Sequence, residues 1–235
     1  MTCIYENLLP IDKNQTRATF LPEFEDHVII GDDTELIGVP HIGYTFVRDE
    51  TYGNMDRAKA LINADDFKGR IRIGTNTQVY SENEVGFENS PVRLTLVKAN
   101  HRNAGEITIG NNVILQGTNI VCYERVTIGN DIMFGPRVTI MDCSGHPVVG
   151  RGLADEVERT PSSPVTIEDG AWIGMGVTIL KGVRIGRNAI VGANSVVYHD
   201  VPDNAIALGN PAKIVKTLDQ GAEHERQSPL AAHAA

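Results

Sequence analysis

The sequence predicts an all-β fold, a parallel β-helix assembled from six-residue repeats. An aliphatic residue recurs at every sixth position through residues 167–197, and a small or β-branched residue follows four positions after each. A period of six matches neither the 3.6-residue turn of an α-helix nor the two-residue alternation of a strand. Short strands joined by tight corners do fit this period, and three repeats would close one triangular coil of about 18 residues.

Six candidate coils share this frame, and four of them are regular. The residues predicted to point inward are Ile30, Leu36, Ile42, Ile73, Val79, Val85, Ile109, Leu115, Val121, Ile128, Phe134, Ile140, Ile167, Ile173, Ile179, Ile185, Val191 and Val197. Asparagine tolerates the positive φ that corners require. We expect that role for Asn111, Asn112, Asn130, Asn188 and Asn194. A β-sandwich of short strands is the alternative, but its strands would not sustain a six-residue period.

The chain is predicted to consist of three parts. Residues 1–26 form a capping segment, residues 27–216 the β-helix, and residues 217–235 a tail that is either a short helix or disordered. Insertions interrupt the repeat at about 48–70 and at 142–164. Loops at the corners of a β-helix are tolerated and tend to carry functional groups, so both insertions are candidate functional segments.

Composition excludes several classes of function. The net charge of −9 argues against binding to nucleic acid or to an anionic membrane, both of which require a basic surface. Three cysteines do not make a disulfide framework. The sequence shows neither a signal peptide nor an apolar run long enough to span a membrane. We therefore expect a cytoplasmic protein with reduced thiols and no membrane insertion.

His146 is the sharpest candidate for chemistry. It lies in the segment DCSGHPVV, soon after the last inward position of a coil, Ile140. Histidine titrates near neutral pH and can act as a general base toward a hydroxyl or an amine. Cys143 lies three residues earlier, but neither a Cys–His nucleophile pair nor a metal pair has a third partner in the sequence. A loop histidine without a role is the alternative.

Residues 126–149 (VTIGNDIMFGPRVTIMDCSGHPVV) resemble the galactoside, maltose and nodulation-factor acetyltransferases of the hexapeptide-repeat family. The resemblance covers roughly residues 107–216 and includes hexads such as IGNNVI, IGRNAI and VGANSV. It implies a left-handed β-helix, a homotrimer and acetyl-CoA as the co-substrate. It also implies that the histidine of the GHP segment, His146, is the catalytic base.

The resemblance also implies binding residues, taken position by position. The CoA contacts would be Gly135, Met175, Ala193, Tyr198, Lys213 and Lys216. The two lysines would contact the phosphates of CoA, with solvated surface lysines as the alternative. Asn119 and Asp142 would contact the acceptor, with a corner asparagine and a structural turn as the respective alternatives. The chain departs from the family at Tyr198–His199, where Thr-Lys is typical, and throughout its N-terminal half.

The predicted function is therefore transfer of an acetyl group from acetyl-CoA to a hydroxyl or amine of a sugar-like or small-molecule acceptor, with no metal. Two alternatives remain open at this point. One is a non-catalytic β-helix that serves as a scaffold or binding module, because repeat folds can act only as surfaces. The other is a γ-class carbonic anhydrase, which needs three histidine ligands, whereas this sequence has no His-x4-His pair.

Overall fold

A computed structural model of the chain describes residues 3–8, 24–49, 62–82 and 88–218. The predicted inward residue Val85 lies outside the described residues. So do most of the predicted capping segment, residues 50–61 of the first predicted insertion, and the tail from residue 219 onward.

The regular secondary structure of the described residues consists of strands and one 3-10 helix at Ala64–Phe67. The strands are β1 (Cys3–Leu8), β2 (Val28–Ile30), β3 (Glu35–Ile37), β4 (His41–Asp49), β5 (Ile71–Ile73), β6 (Gln78–Tyr80), β7 (Arg93–Ala99), β8 (Glu106–Ile109), β9 (Ile114–Gln116), β10 (Asn119–Cys122), β11 (Arg125–Ile128), β12 (Met133–Phe134), β13 (Thr139–Met141), β14 (Val165–Ile167), β15 (Trp172–Ile173), β16 (Thr178–Ile179), β17 (Arg184–Ile185), β18 (Ile190–Val191), β19 (Val196–Val197), β20 (Ala205–Leu208) and β21 (Lys213–Thr217). Most have only two to four residues, as the six-residue period requires.

The strands stack into three sheets, which form the faces of a triangular prism. Face 1 has the strand order β1-β4-β7-β10-β13-β16-β19, and face 2 has the order β17-β14-β11-β8-β5-β2. Face 3 has the order β21-β20-β18-β15-β12-β9-β6-β3. Each coil passes through faces 2, 3 and 1 in turn, and neighbouring coils pair in parallel. Among the strands of the described residues, β1 pairs antiparallel with β4 and β20 with β21. We name the edges by the faces they join: the 2/3, 3/1 and 1/2 corners.

Equivalent aliphatic residues of successive coils stack along the axis of the prism and form its core. On face 3, for example, Phe134 pairs with Ile173 and Ile173 with Val191, and all three are fully buried. Burying one such side chain contributes about 2–3 kcal/mol. A single coil has no interior of its own, so this stabilisation exists only because the coils stack.

One predicted inward residue is wrong. The structure places Ile120, not Val121, in the core of face 1, where Ile120 pairs with Leu94 and Ile140 and is fully buried. Val121 is half-buried and is directed away from that core. The strand begins one residue earlier than a strict period requires, because the preceding turn at Gly117, with a φ of 53°, is shorter.

Asparagine and aspartate residues form a column along the 2/3 corner. Asn76 donates to Asn112 at 2.9 Å and Asn112 to Asp131 at 2.9 Å, and all three have φ between 52° and 57°. Positive φ is confirmed for the predicted Asn112, Asn188 and Asn194. The prediction is wrong for Asn111 and Asn130, whose φ is not positive. Their side chains instead accept backbone N–H groups of the neighbouring coil at 2.8 and 2.9 Å.

Face 1 is extended where its first strands continue past the others. Strands β4 and β7 pair over seven residues, whereas β10 pairs with β7 over only four. Residues 142–164 leave the prism at the 1/2 corner between β13 and β14 and contact this extension. Val157 packs there in a second cluster with Val47, Val97 and Ala99. The first coils therefore support a loop that belongs to the fourth.

Candidate active site

His146 and Glu156 form a hydrogen-bonded pair within the 142–164 loop. Their Nδ1 and Oε1 atoms lie 2.6 Å apart. Because a carboxylate only accepts, Nδ1 carries the proton and donates it, which leaves the Nε2 lone pair as the basic site. The side chain of His146 is 53% exposed, whereas that of Glu156 is 7% exposed. The buried Glu156 carboxylate therefore fixes the orientation of the half-exposed His146 ring.

The Glu156 carboxylate is held from two sides. Its second oxygen accepts the backbone N–H of Gly152, and that hydrogen bond together with the His146 contact lowers the pKa of the Glu156 carboxyl below its ordinary value. Sequence reasoning missed Glu156, which lies ten residues from His146 in a stretch with Asp155 and Glu158 close by. Sequence spacing does not distinguish these acidic residues, because the conformation of the loop determines which of them contacts His146.

Asp142 anchors the start of the same loop. It is fully buried, and its carboxylate accepts the backbone N–H groups of Tyr123, Glu124 and Arg125 at 2.7, 2.7 and 2.8 Å. Burial raises the pKa of the Asp142 carboxyl, while these three donors act in the opposite direction. The geometry supports the structural role that was the alternative to acceptor binding.

Both described cysteines near this loop are buried thiols. Cys143 accepts the backbone N–H of Gly145 at 3.2 Å, and Cys122 lies 3.5 Å from Asp142 Oδ2. Burial raises the pKa of each thiol. A nucleophile must form the thiolate, so this environment disfavours a Cys–His nucleophile pair.

Three of the predicted CoA contacts lie together at the 3/1 corner. Gly135, Met175 and Ala193 follow β12, β15 and β18, which are successive strands of face 3. The backbones approach closely here, since a Cβ on Gly135 would lie 2.6 Å from the Met175 nitrogen. Met175 and Ala193 are exposed. The corner therefore offers a narrow exposed surface made of small side chains, backbone and one thioether.

The remaining predicted CoA contacts are exposed but are not all at this corner. Lys213 lies opposite Leu208 on β21, and the backbone of the preceding Ala212 donates to Val196 at 2.8 Å. Lys213 is therefore near the 3/1 corner, at the end of face 3 that β20 and β21 form. Lys216 lies farther along β21, opposite Ile206, and Tyr198 follows β19 beyond face 1.

The predicted site residues thus divide between two edges of the prism. His146 and Asp142 lie at the 1/2 corner, where face 1 ends. Gly135 and its neighbours lie at the 3/1 corner, where face 1 begins. Asn119 is the first residue of β10 and so belongs to the second of these edges. Asn119 and Asp142 therefore lie at opposite edges of face 1.

An open pocket of about 470 Å³ adjoins the base of the loop at the 1/2 corner. Its lining includes Arg70, Arg102, Arg125, Tyr123 and Ser162. Arg70 and Arg102 also donate to backbone carbonyls, of Ala104 and Thr160 respectively. The pocket combines these guanidinium donors with the carboxylates of Glu106 and Glu124, and Glu124 accepts the Ser162 hydroxyl at 3.0 Å.

Within the described ranges, no three His, Cys, Asp or Glu side chains lie close enough together to hold a metal ion. None of the helices among those residues is long and apolar enough to cross a membrane.

Comparison with known proteins shows that the repeats are similar to those of a family of bacterial transferases. Residues 164–199 match the family model for the bacterial transferase hexapeptide (six repeats). The galactoside O-acetyltransferase of Lactococcus lactis is 42% identical over 96 residues, which are 40% of this chain and 44% of that protein. The galactoside O-acetyltransferase of Escherichia coli is 37% identical over 119 residues, which are 50% of this chain and 57% of that protein. The chain thus spans about half the length of these relatives.

A solved structure extends the similarity to most of the fold. The N-acyltransferase AntD of Bacillus cereus, solved with dTDP and 3-hydroxybutyryl-CoA, is 17% identical, with a TM-score of 0.53. The alignment covers 85% of this chain and 87% of that one. Together with the parallel coils and the repeat match, it confirms the predicted fold class, a left-handed parallel β-helix. The resemblance of this chain to the hexapeptide-repeat acetyltransferases is likewise confirmed, and its repeats at 164–199 carry it most directly.

Proposed function

We propose that the protein transfers an acetyl group from acetyl-CoA to a hydroxyl or amine of a sugar-like or small-molecule acceptor. The observation that carries the proposal is the His146–Glu156 pair, in which a buried carboxylate accepts Nδ1–H of a half-exposed imidazole ring. The galactoside O-acetyltransferases that the chain resembles support both the reaction and the class of acceptor.

In this mechanism His146 acts as the general base. Nε2 takes the proton of the acceptor while the acceptor oxygen or nitrogen attacks the thioester carbonyl of acetyl-CoA. The ionised Glu156 stabilises the imidazolium that forms. The tetrahedral intermediate then collapses, the carbon–sulfur bond breaks, and the departing CoA sulfur receives the proton from Nε2. His146 returns to its starting state, and no covalent enzyme intermediate or metal is needed.

The 3/1 corner is the proposed binding surface for CoA. The pantetheine arm would lie along Gly135, Met175 and Ala193, where the absence of large side chains lets a ligand approach the backbone. Lys213 and Lys216 would contact the diphosphate and 3′-phosphate as point charges. Tyr198, which stands where the family has threonine, offers an exposed ring near the same end of the prism.

A homotrimer would unite the two edges. Within one chain face 1 separates His146 from the proposed CoA surface, so a second copy must supply one of them. Face 3 carries an outward apolar row in one register, which is suited to an interface between copies. Its members are Ile114, Met133, Trp172, Ile190 and Ile206.

The acceptor would bind at the 1/2 corner, in the pocket next to the loop of His146. Arg70, Arg102 and Arg125 could donate to several hydroxyl or acidic oxygens of a sugar. Asp142 enters the proposal as the residue that holds the loop, and Asn119 as an acceptor contact supplied across the interface. The acceptor group is a hydroxyl or an amine in this proposal, and the cytoplasmic location stays a prediction.

The test begins with calorimetric titration of the purified protein with acetyl-CoA. We expect about one site per chain, after which hydroxyl and amino sugars are screened by measuring release of free CoA thiol. His146→Ala should then lower turnover about 1,000-fold, within the range of general base catalysis, while acetyl-CoA still binds.

Ser144→Ala is the matched control, since it changes an exposed side chain two residues away in the same loop. It should leave turnover unchanged. Undiminished turnover in His146→Ala would exclude the general base, and absence of acetyl-CoA binding by the intact protein would favour the scaffold alternative.

A further inference from the structure

Asp49 connects the end of β4 to the loop that carries the His146–Glu156 pair. Its carboxylate accepts the backbone N–H of Val157 at 2.8 Å and that of Glu158 at 3.0 Å. A third donor, the side-chain amide of Asn100, lies 2.9 Å away. Asp49 is only 4% exposed. A buried carboxylate with this set of N–H donors has its desolvation compensated and is held in one orientation.

Asn100 completes the contact from the end of β7. Its side-chain oxygen accepts the Asp49 N–H at 3.0 Å, and its amide also reaches Glu158 Oε2 at 3.2 Å. The φ of Asn100 is 49°, a conformation that asparagine adopts more readily than most residues. Two residues on, Arg102 donates to the backbone carbonyls of Glu158 and Thr160. Residues at the ends of β4 and β7 thus hold the segment 157–160 by hydrogen bonds.

These hydrogen bonds also restrain Glu156, the residue that precedes the segment 157–160. The Val157 N–H belongs to the same peptide plane as the Glu156 carbonyl, so fixing that N–H fixes the Glu156 backbone. Val157 itself is buried against Val47, Val97 and Ala99. The loop is also held at other points, since Asp142 fixes its start and Arg159 donates to the carbonyls of Val149 and Gly150, both at 2.8 Å. The contacts of Asp49 are the ones that fix the backbone directly after Glu156.

We propose that Asp49 is a positioning residue that holds Glu156 in hydrogen-bonding distance of His146, with Asn100 as its support. This inference rests on the proposed function insofar as the pair serves catalysis. It assigns a role to the N-terminal coils, where the chain departs from its relatives, because those coils supply both residues.

The state of the His146 ring tests this directly. Neutral histidine free in water favours the proton on Nε2, whereas a carboxylate at Nδ1 holds the proton there. Long-range 1H–15N spectra of the imidazole distinguish the two tautomers. We expect Nδ1–H in the unaltered protein and a shift toward Nε2–H in Glu156→Ala, which removes the acceptor of that proton. Asp49→Ala should produce the same shift, although Asp49 does not touch His146.

Asn100→Gly is the second variant, because glycine keeps the positive φ and removes only the amide. Asp66→Ala is the control, since it removes a carboxylate that pairs with Lys98 on β7 at 2.6 Å and not with the loop. Circular dichroism and melting temperature identify the variants that retain the β-helix. With acceptor turnover established, Asp49→Ala should lower kcat about 100-fold, the cost of a displaced catalytic group, and leave KM for acetyl-CoA unchanged.

An Nδ1–H tautomer that persists in folded Asp49→Ala or Asn100→Gly would overturn the proposal. If Asp49→Ala does not fold, Asn100→Gly decides by itself. The tautomer is measured without substrate, so a protein that binds no acetyl-CoA would refute the proposed function and still return a result for Asp49.

Discussion

The regular coils from β14 to β19 and the irregular assembly at the 1/2 corner are stabilised in different ways. In the regular coils every strand has two or three residues, and each buried side chain stacks on its equivalents in the neighbouring coils. At the 1/2 corner the 142–164 loop is held by Asp142, Val157 and Asp49 through contacts that occur once. The repeated contacts stabilise a uniform scaffold, and the contacts that occur once hold the loop of the His146–Glu156 pair, the proposed catalytic pair.

The largest expected effect comes from a cavity in the regular coils. Ile173→Ala should lower the free energy of unfolding by about 4 kcal/mol, because Ile173 is fully buried between Phe134 and Val191. Urea-induced unfolding followed by circular dichroism measures it. Arg187→Ala, an exposed change one coil away, should cost less than about 0.5 kcal/mol. A similar small cost for Ile173→Ala would contradict the stacked core.

Next in size is the loss of the buried carboxylate at the loop base. Asp142→Ala should cost about 3 kcal/mol, because it leaves three backbone N–H groups without their acceptor. Asp169 is the comparison in a regular corner, where an exposed carboxylate accepts the Asn130 N–H at 2.7 Å. Asp169→Ala should cost about 1 kcal/mol, since water can replace the acceptor. Equal losses in the free energy of unfolding for Asp142→Ala and Asp169→Ala would contradict the proposed difference between the two corners.

A smaller effect is expected where the loop packs on the ends of β4 and β7. Val157→Ala should cost about 1.5 kcal/mol, since it removes two buried methyl groups. Its consequence should be local, because the β14–β19 coils do not touch this cluster. Hydrogen exchange should become faster at the amides of Val157 and Glu158 and stay unchanged in the coils. Faster exchange throughout would mean that loop and coils unfold together.

The smallest effect is the pH dependence of the Glu156 contacts. The pKa of its carboxyl is lowered on folding, so the ionised form stabilises the loop. That stabilisation is fully present above the ordinary carboxyl value of 4.5 and is lost as the pH falls through the folded-state pKa. Protection of the Gly152 amide should therefore exceed that in Glu156→Gln at pH 7, and the two should converge at low pH. A difference in protection that grows on acidification would mean that the protonated carboxyl, and not the ionised one, stabilises the loop.

The sequence by itself determined the repeating part of the fold and the segment that carries the proposed base, His146. A six-residue period is a local property, since each hexad specifies its own strand, corner and inward side chain. That is why the face 3 core and the positive φ of Asn112, Asn188 and Asn194 could be predicted residue by residue. His146 was found from its segment, which lies directly after a regular coil.

Only the tertiary structure decided which residues meet at the site. The one-residue change that buries Ile120 instead of Val121 depends on the turn before it and on pairing with Leu94 and Ile140. Glu156 is chosen from neighbouring acids by the path of the loop. Asp49 reaches Val157 across 108 residues of chain. Such contacts leave no period in the sequence, because they depend on how many coils lie between the two residues and on which edge each emerges.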